Sequence, residues 1–146
     1  TLADGTWLDG SVFEGFPVLE ELVCGEGVYL DLYCFEGCTL RRVTATAYHF
    51  AELPKANLEE VTVTEGELTG GLFLNCKSLK RVTLEEVSFI GLGAFRGCEA
   101  LESVHFAETE GWTADGEPID PAVLADPAAA AKTLTETYTD CVLERK

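Results

Sequence analysis

The stretch Leu79–Leu101, LKRVTLEEVSFIGLGAFRGCEAL, decides the fold, because the rest of the chain keeps restating it. It opens with leucine, two polar residues, an aliphatic residue, one further residue and another apolar one. The same pattern occurs at Leu19-Leu22-Cys24, Leu40-Val43-Ala45, Leu58-Val61-Val63 and Leu101-Val104-Phe106. The leading leucines stand 21, 18, 21 and 22 residues apart. No single turn of that length buries its own apolar face, so the period implies a solenoid whose turns bury one another. Alternation in the second half of the pattern predicts a strand with one buried face. Val87–Ile90 then predicts a second short strand returning across the other side. Gly93–Cys98 predicts a compact turn that points Phe95 and Cys98 inward.

Working outward, residues 5–13 (GTWLDGSVF) align with 27–35 (GVYLDLYCF), pairing Trp7 with Tyr29, Asp9 with Asp31 and Phe13 with Phe35. The segment recurs at 65–73 and, more loosely, at 87–95. The turn from Leu40 to Asn57 is shorter. Its Tyr48-His49-Phe50 run and Pro54 stand where other turns carry the second strand and the Phe-x-x-Cys piece. Beyond Phe106 the pattern stops. Residues 111–120 (GWTADGEPID) read as a turn-rich loop. Asp126-Pro127 has the chemistry of a helix start, predicting a helix over about 127–138 and a short strand or extended tail after it. Residues 1–110 are thus expected to form about five turns. Residues 111–146 are expected to cap them, with Trp112, Leu134, Tyr138 and Leu143 as a lid.

The period and the Leu-x-x-Val pattern are those of leucine-rich repeats. The expected fold is a right-handed leucine-rich-repeat solenoid of the α/β class, β-rich, with a parallel strand ladder and a short C-terminal helical cap. More specifically, GAFRGCEALESVHF (93–106), LFLNCKSLKRVTL (72–84) and CFEGCTLRRVTA (34–45) resemble the BspA-like leucine-rich repeats of bacterial surface proteins. The resemblance implies a secreted or surface-attached bacterial protein that binds other proteins. It brings no catalytic residue with it, because the matching residues are those of the core.

The net charge of −16, from 26 acids against 10 Lys and Arg, disfavours nucleic acid and anionic lipid as partners. No run of 18 apolar residues is present, so no membrane insertion is expected. Thr1 at the start and the lack of Met fit a mature or trimmed fragment. Five of the six cysteines fall in columns that other turns fill mainly with apolar residues, as buried free thiols do. A Cys76–Cys98 bridge between neighbouring turns is the alternative.

The polar strand positions make columns when turns stack. Glu20, Arg41, Glu59, Lys80 and Glu102 form one; Glu21, Arg42, Glu60, Arg81 and Ser103 form the next. Alternating charge either pins the register or patterns a binding face. The third column is Val23, Thr44, Thr62, Thr83 and His105. The candidate partner face is therefore Val23, Arg42, Thr44, Glu60, Thr62, Arg81, Thr83 and His105. No catalytic, cofactor-binding or metal-binding residue is expected. His49 and His105 lie in different turns, and no HExxH, P-loop or Gly-x-Ser-x-Gly motif is written. Clustered acids leave room for weak calcium binding. The function expected is non-enzymatic protein interaction, through the strand face, with a partner of unknown identity. The rival is a structural spacer or cap of a longer repeat array, with self-association at its N-terminal edge as a further expectation.

Overall fold

The computed structural model describes the whole chain apart from residues 11, 15, 17, 18 and 32. Its centre is a parallel ladder of five strands: β2 (Glu21–Val23), β4 (Arg42–Ala45), β5 (Glu60–Leu68), β6 (Arg81–Ile90) and β7 (Ser103–Phe106). Equivalent residues of successive turns face one another, as in Leu22↔Val43↔Val61↔Val82↔Val104. The chain is therefore a β-rich solenoid of about five turns with few helices. A smaller parallel pair, β1 (Trp7–Leu8) and β3 (Tyr29–Leu30), continues the N-terminal turns as a separate sheet.

The aliphatic residue of each repeat points inward because side chains alternate across a strand. Val43, Val61, Val82 and Val104 are all buried, and the leucines that open the turns, Leu40, Leu58 and Leu79, are buried with them. Leu19 and Leu101, in the outer turns, are only half-buried. The phenylalanines form a column along the solenoid, in contact from turn to turn. Phe13 lies on Phe35 with centroids 5.1 Å apart and Phe73 on Phe95 at 5.5 Å, while Phe50 meets Phe73 edge-on at 5.2 Å. All six cysteines are free. Five are buried and Cys141 is half-buried.

Several local expectations are corrected. In β5 and β6 the first strand and the expected second strand are one continuous element rather than two. The buried positions of β6 run Val82, Leu84, Val87, Ile90, stepping by two and then by three past Glu85 and Glu86. That change of step bends the strand around the core, with both glutamates inside β6, and leaves Phe89 half-buried while Val87 and Ile90 fill the interior. The short turn from Leu40 to Asn57 replaces its second strand by helix α1 (Ala47–Glu52). A helix packs a residue into ~1.5 Å where a strand needs ~3.3 Å, so Phe50 still reaches the phenylalanine column from a turn that lacks the length for two strands. Gly66 makes room for α1. Its φ is +103°, and a Cβ there would lie 3.2 Å from the Ala47 Cβ.

At the C-terminal end the 111–120 segment is a hairpin rather than a loop: β8 (Trp112–Ala114) pairs antiparallel with β9 (Glu117–Pro118). Asp115 and Gly116 both have positive φ, the geometry that an Asp-Gly hairpin turn requires. A short helix α2 (Pro121–Ala125) follows, and then α3 (Pro127–Lys132), whose Asp126 side chain accepts from the Ala128 and Ala129 N–H groups at 3.0 and 3.1 Å. The helix continues as one wider π turn over Thr133–Thr137. The last strand, β10 (Leu143–Arg145), runs antiparallel between β6 and β8, pairing Leu143 with Ile90. Beyond Leu84 the outer edge of β6 is thus taken by β10 in place of a further turn. Trp112, Leu134 and Leu143 are buried beneath this end, with Trp112 edge-on to Phe106 at 5.3 Å, while Tyr138 is half-buried.

Phe73 touches a ring on either side and is fully buried. Phe73→Ala is expected to cost about 3–5 kcal/mol in urea unfolding, because the stack leaves a cavity that its neighbours fill poorly. A loss below about 1 kcal/mol would contradict a packed phenylalanine column.

Candidate protein-binding face

The backbone sets up this face before any side chain acts. Each turn hangs from the previous one by the N–H groups at the start of its strand. Arg41 N–H donates to Glu20 O (2.8 Å), Glu59 N–H to Arg41 O (2.8 Å), Lys80 N–H to Glu59 O (2.8 Å) and Glu102 N–H to Lys80 O (2.9 Å). These bonds bring like positions of successive turns together, so the residues between the buried valines form outward columns.

In the first column Arg41 Nε donates to Glu59 Oε1 at 2.9 Å, Arg41 also lies 3.9 Å from Glu20, and Lys80 lies 3.9 Å from the other oxygen of Glu59. The second column pairs Arg42 with Glu21 at 3.5 Å and Arg81 with Glu60. Four of the chain's ten Lys and Arg residues are used in these two columns. The hydrogen bond from Arg41 holds the Glu59 carboxyl below its ordinary range, and the same bond raises Arg41. Glu60 acts likewise on Arg81, which is raised. Glu59, Glu60 and Lys80 are half-buried and the other side chains are exposed, so each pair is individually weak and salt-sensitive.

The third column holds the remaining candidates. Val23, Thr44, Thr62, Thr83 and His105 lie in consecutive register. The first four are half-buried and His105 is exposed. The eight residues singled out from the sequence therefore lie on one face: Arg42, Glu60 and Arg81 in the charged column, and Val23, Thr44, Thr62, Thr83 and His105 beside it.

Elsewhere His49 and Lys55 are engaged in structure. His49 is buried, its Nε2–H donating to the Val28 carbonyl at 2.7 Å and its Nδ1 lying 3.0 Å from the Thr46 hydroxyl. Lys55 donates from Nζ to Phe50 O (2.7 Å) and Leu53 O (3.4 Å), closing the C-terminal end of α1, and burial lowers its pKa. The buried Cys98 thiol donates to Phe73 O at 3.1 Å. An open groove of about 410 Å³ between the last turn and α3 is lined by Glu99, Leu101, Lys132 and Glu136 among others, with Lys132 facing Glu136 at 3.9 Å. Among the described residues no group of three or more His, Cys, Asp or Glu side chains is placed to hold a metal ion. That Trp7 and Tyr29 face solvent as a stacked pair has no signal in the sequence. Their alignment at an offset of 22 was visible, but which side of their strand is buried was not.

Two outcomes follow from the charge columns. Arg42→Glu combined with Arg81→Glu places three acids in sequence along one column, Glu21, residue 42 and Glu60, and extends that run to residue 81. The melting temperature is expected to fall, and to recover partly in high salt. An unchanged melting temperature at low salt would show that the column does not pin the register. Glu59 is depressed, so its contribution is present above its unfolded value near 4.5 and is lost as pH falls through the lower folded value. Glu59→Gln is expected to flatten that acid limb of the stability–pH curve, and an unaltered limb would remove Glu59 from the account.

No family model matches the chain, and no curated protein or solved structure matches it either.

Proposed function

We propose that this chain is a non-enzymatic protein-interaction module, a right-handed leucine-rich-repeat solenoid of the BspA-like kind that works in a bacterial cell-surface or secreted protein. The contact surface is the parallel strand face, centred on Thr44, Thr62 and Thr83. The observation that carries this reading is the third column itself. Five consecutive turns present small or weakly polar side chains in register, all with solvent access and none engaged in the neighbouring ion pairs. Such a flat stripe accepts a partner's main chain or aromatic side chains without first breaking internal salt bridges. The surface or secreted location rests on the resemblance of the Ala-Phe-x-x-Cys-x-x-Leu-x-x-Val unit.

A second reading is structural. Arg41, Arg42, Lys80 and Arg81 are matched by acids of the same chain, which is what a spacer or terminal cap in a longer repeat array needs, with no ligand of its own.

The two readings separate in a binding screen. The chain is immobilised and exposed to a panel of purified cell-surface and extracellular proteins, with a Thr62→Glu/Thr83→Glu variant in parallel. The interaction reading expects at least one partner whose binding is lost in the variant at unchanged melting temperature. Partners held equally by both proteins would move the contact off the strand face. An empty screen would favour the spacer.

A further inference from the structure

The two charged columns of the strand face leave that region nearly neutral, so the excess negative charge lies elsewhere. Residues 1–40 contain eight acids and no Lys, Arg or His. Among the described residues only Glu20 and Glu21 of these acids reach a base of a later turn, Arg41 and Arg42 respectively, and no ion pair engages Asp9 or Asp31.

On the β1–β3 sheet this acidity meets exposed aromatic surface. Trp7 and Tyr29 occupy equivalent positions of the two strands, stacked with centroids 4.4 Å apart and planes tilted by 35°. Trp7 remains 69% exposed and Tyr29 44% exposed, so the stack leaves most of the indole in water. Asp9 and Asp31 follow two residues after each ring. The Asp31 N–H donates to Leu8 O at 3.0 Å, which holds these two segments, and hence the two carboxylates, in neighbouring turns. The Asp31 side chain accepts from the Tyr33 N–H at 3.1 Å. A large apolar face in solvent beside two adjacent like charges is costly for the free molecule on both counts.

We propose that the Trp7–Tyr29 stack, with Asp9 and Asp31 beside it, is a second docking surface that takes an arginine-rich segment of a partner protein. A guanidinium group is planar and weakly hydrated. It lies flat on an indole face and presents forked N–H donors to carboxylates at its edge. It therefore answers both features of the patch with one side chain. A neutral apolar partner would bury Asp9 and Asp31 without countercharge, and nucleic acid would meet only acids. A second copy of the chain would bring its own acidic N-terminal turns against these. This surface lies in a different sheet from the Thr44–Thr62–Thr83 stripe, and its proposal does not depend on that stripe binding anything.

The test uses the whole chain and a blocked octa-arginine peptide, followed by NMR of the two indole N–H groups. Trp112 is buried and its Nε1–H donates to Glu108 O at 2.8 Å, so it serves as the internal control. The peptide is expected to move the Trp7 resonance and leave that of Trp112 in place. Trp7→Ala, which removes no charge, and Asp9→Asn/Asp31→Asn are each expected to weaken binding by about tenfold. Glu85→Gln/Glu86→Gln, which removes the same charge from β6, is expected to weaken it by less than about twofold. Equal weakening by the Asp and Glu pairs, or a Trp7→Ala variant that binds as the parent does, would reduce the effect to general charge attraction and overturn the proposal. Absence of any Trp7 shift would overturn it too. Concentration-dependent self-association that disappears in Trp7→Ala would assign the surface to a second copy instead.

Discussion

Neighbouring turns must hydrogen-bond in register, and everything else in this protein depends on that constraint. Backbone groups at Glu20, Arg41, Glu59, Lys80 and Glu102 link successive turns at 2.8–2.9 Å. Once those bonds form, valine falls on valine and phenylalanine on phenylalanine, while acid falls beside base. A slip of one residue would turn the valines to water and bring the charged residues inward. The apolar column and the charged columns therefore oppose the same error from opposite faces. The interior supplies most of the stabilisation, through fully buried residues such as Leu58, Phe73 and Val104. The exposed pairs add little individually but penalise the wrong pairing.

The solenoid's ends are managed unequally. At the C-terminal end β7 covers only the first half of β6, and β10 covers Phe89 and Ile90 from the opposite chain direction. The β8–β9 hairpin and α3 complete this closure, with α3 lying against β7. The N-terminal turns rest on a separate two-residue pair, β1 and β3, and carry exposed aromatic side chains. Function is expected where the chain leaves groups unsatisfied. By that measure the half-exposed threonine stripe and the Trp7–Tyr29 patch stand apart from the paired charges, the engaged His49 and the buried thiols.

Repetition made the ladder legible in the sequence. Five restatements of Leu-x-x-Val fix which residues share a column, and the structure places the valine, threonine and charge columns where that alignment puts them. Features that occur once could not be read in this way. Nothing repeats Ala47–Glu52, and its helical form follows from a length shortage in one turn together with the room that Gly66 provides. The merging of two strand pieces in β5 and β6 depends on how Glu85-Glu86 rounds a corner, a three-dimensional bend that alternation in sequence does not encode. The β8–β9 hairpin did carry its Asp-Gly signal, but strands of three and two residues are too short to show periodicity. The candidate face was legible as positions. The exposed aromatic pair was not, because Trp and Tyr at strand positions read equally well as core.

Amide hydrogen exchange, resolved residue by residue, measures the in-register ladder most directly. The strongest protection is expected along β5 and β6, which pair with each other over their length, at the N–H groups of Val61–Val63 and Val82–Leu84. Protection should fall stepwise through β4 and β2 to the short β1–β3 pair. Protection that is uniform from Trp7 to Phe106, or greatest in the N-terminal turns, would contradict a solenoid whose stability is built turn upon turn from that central pair.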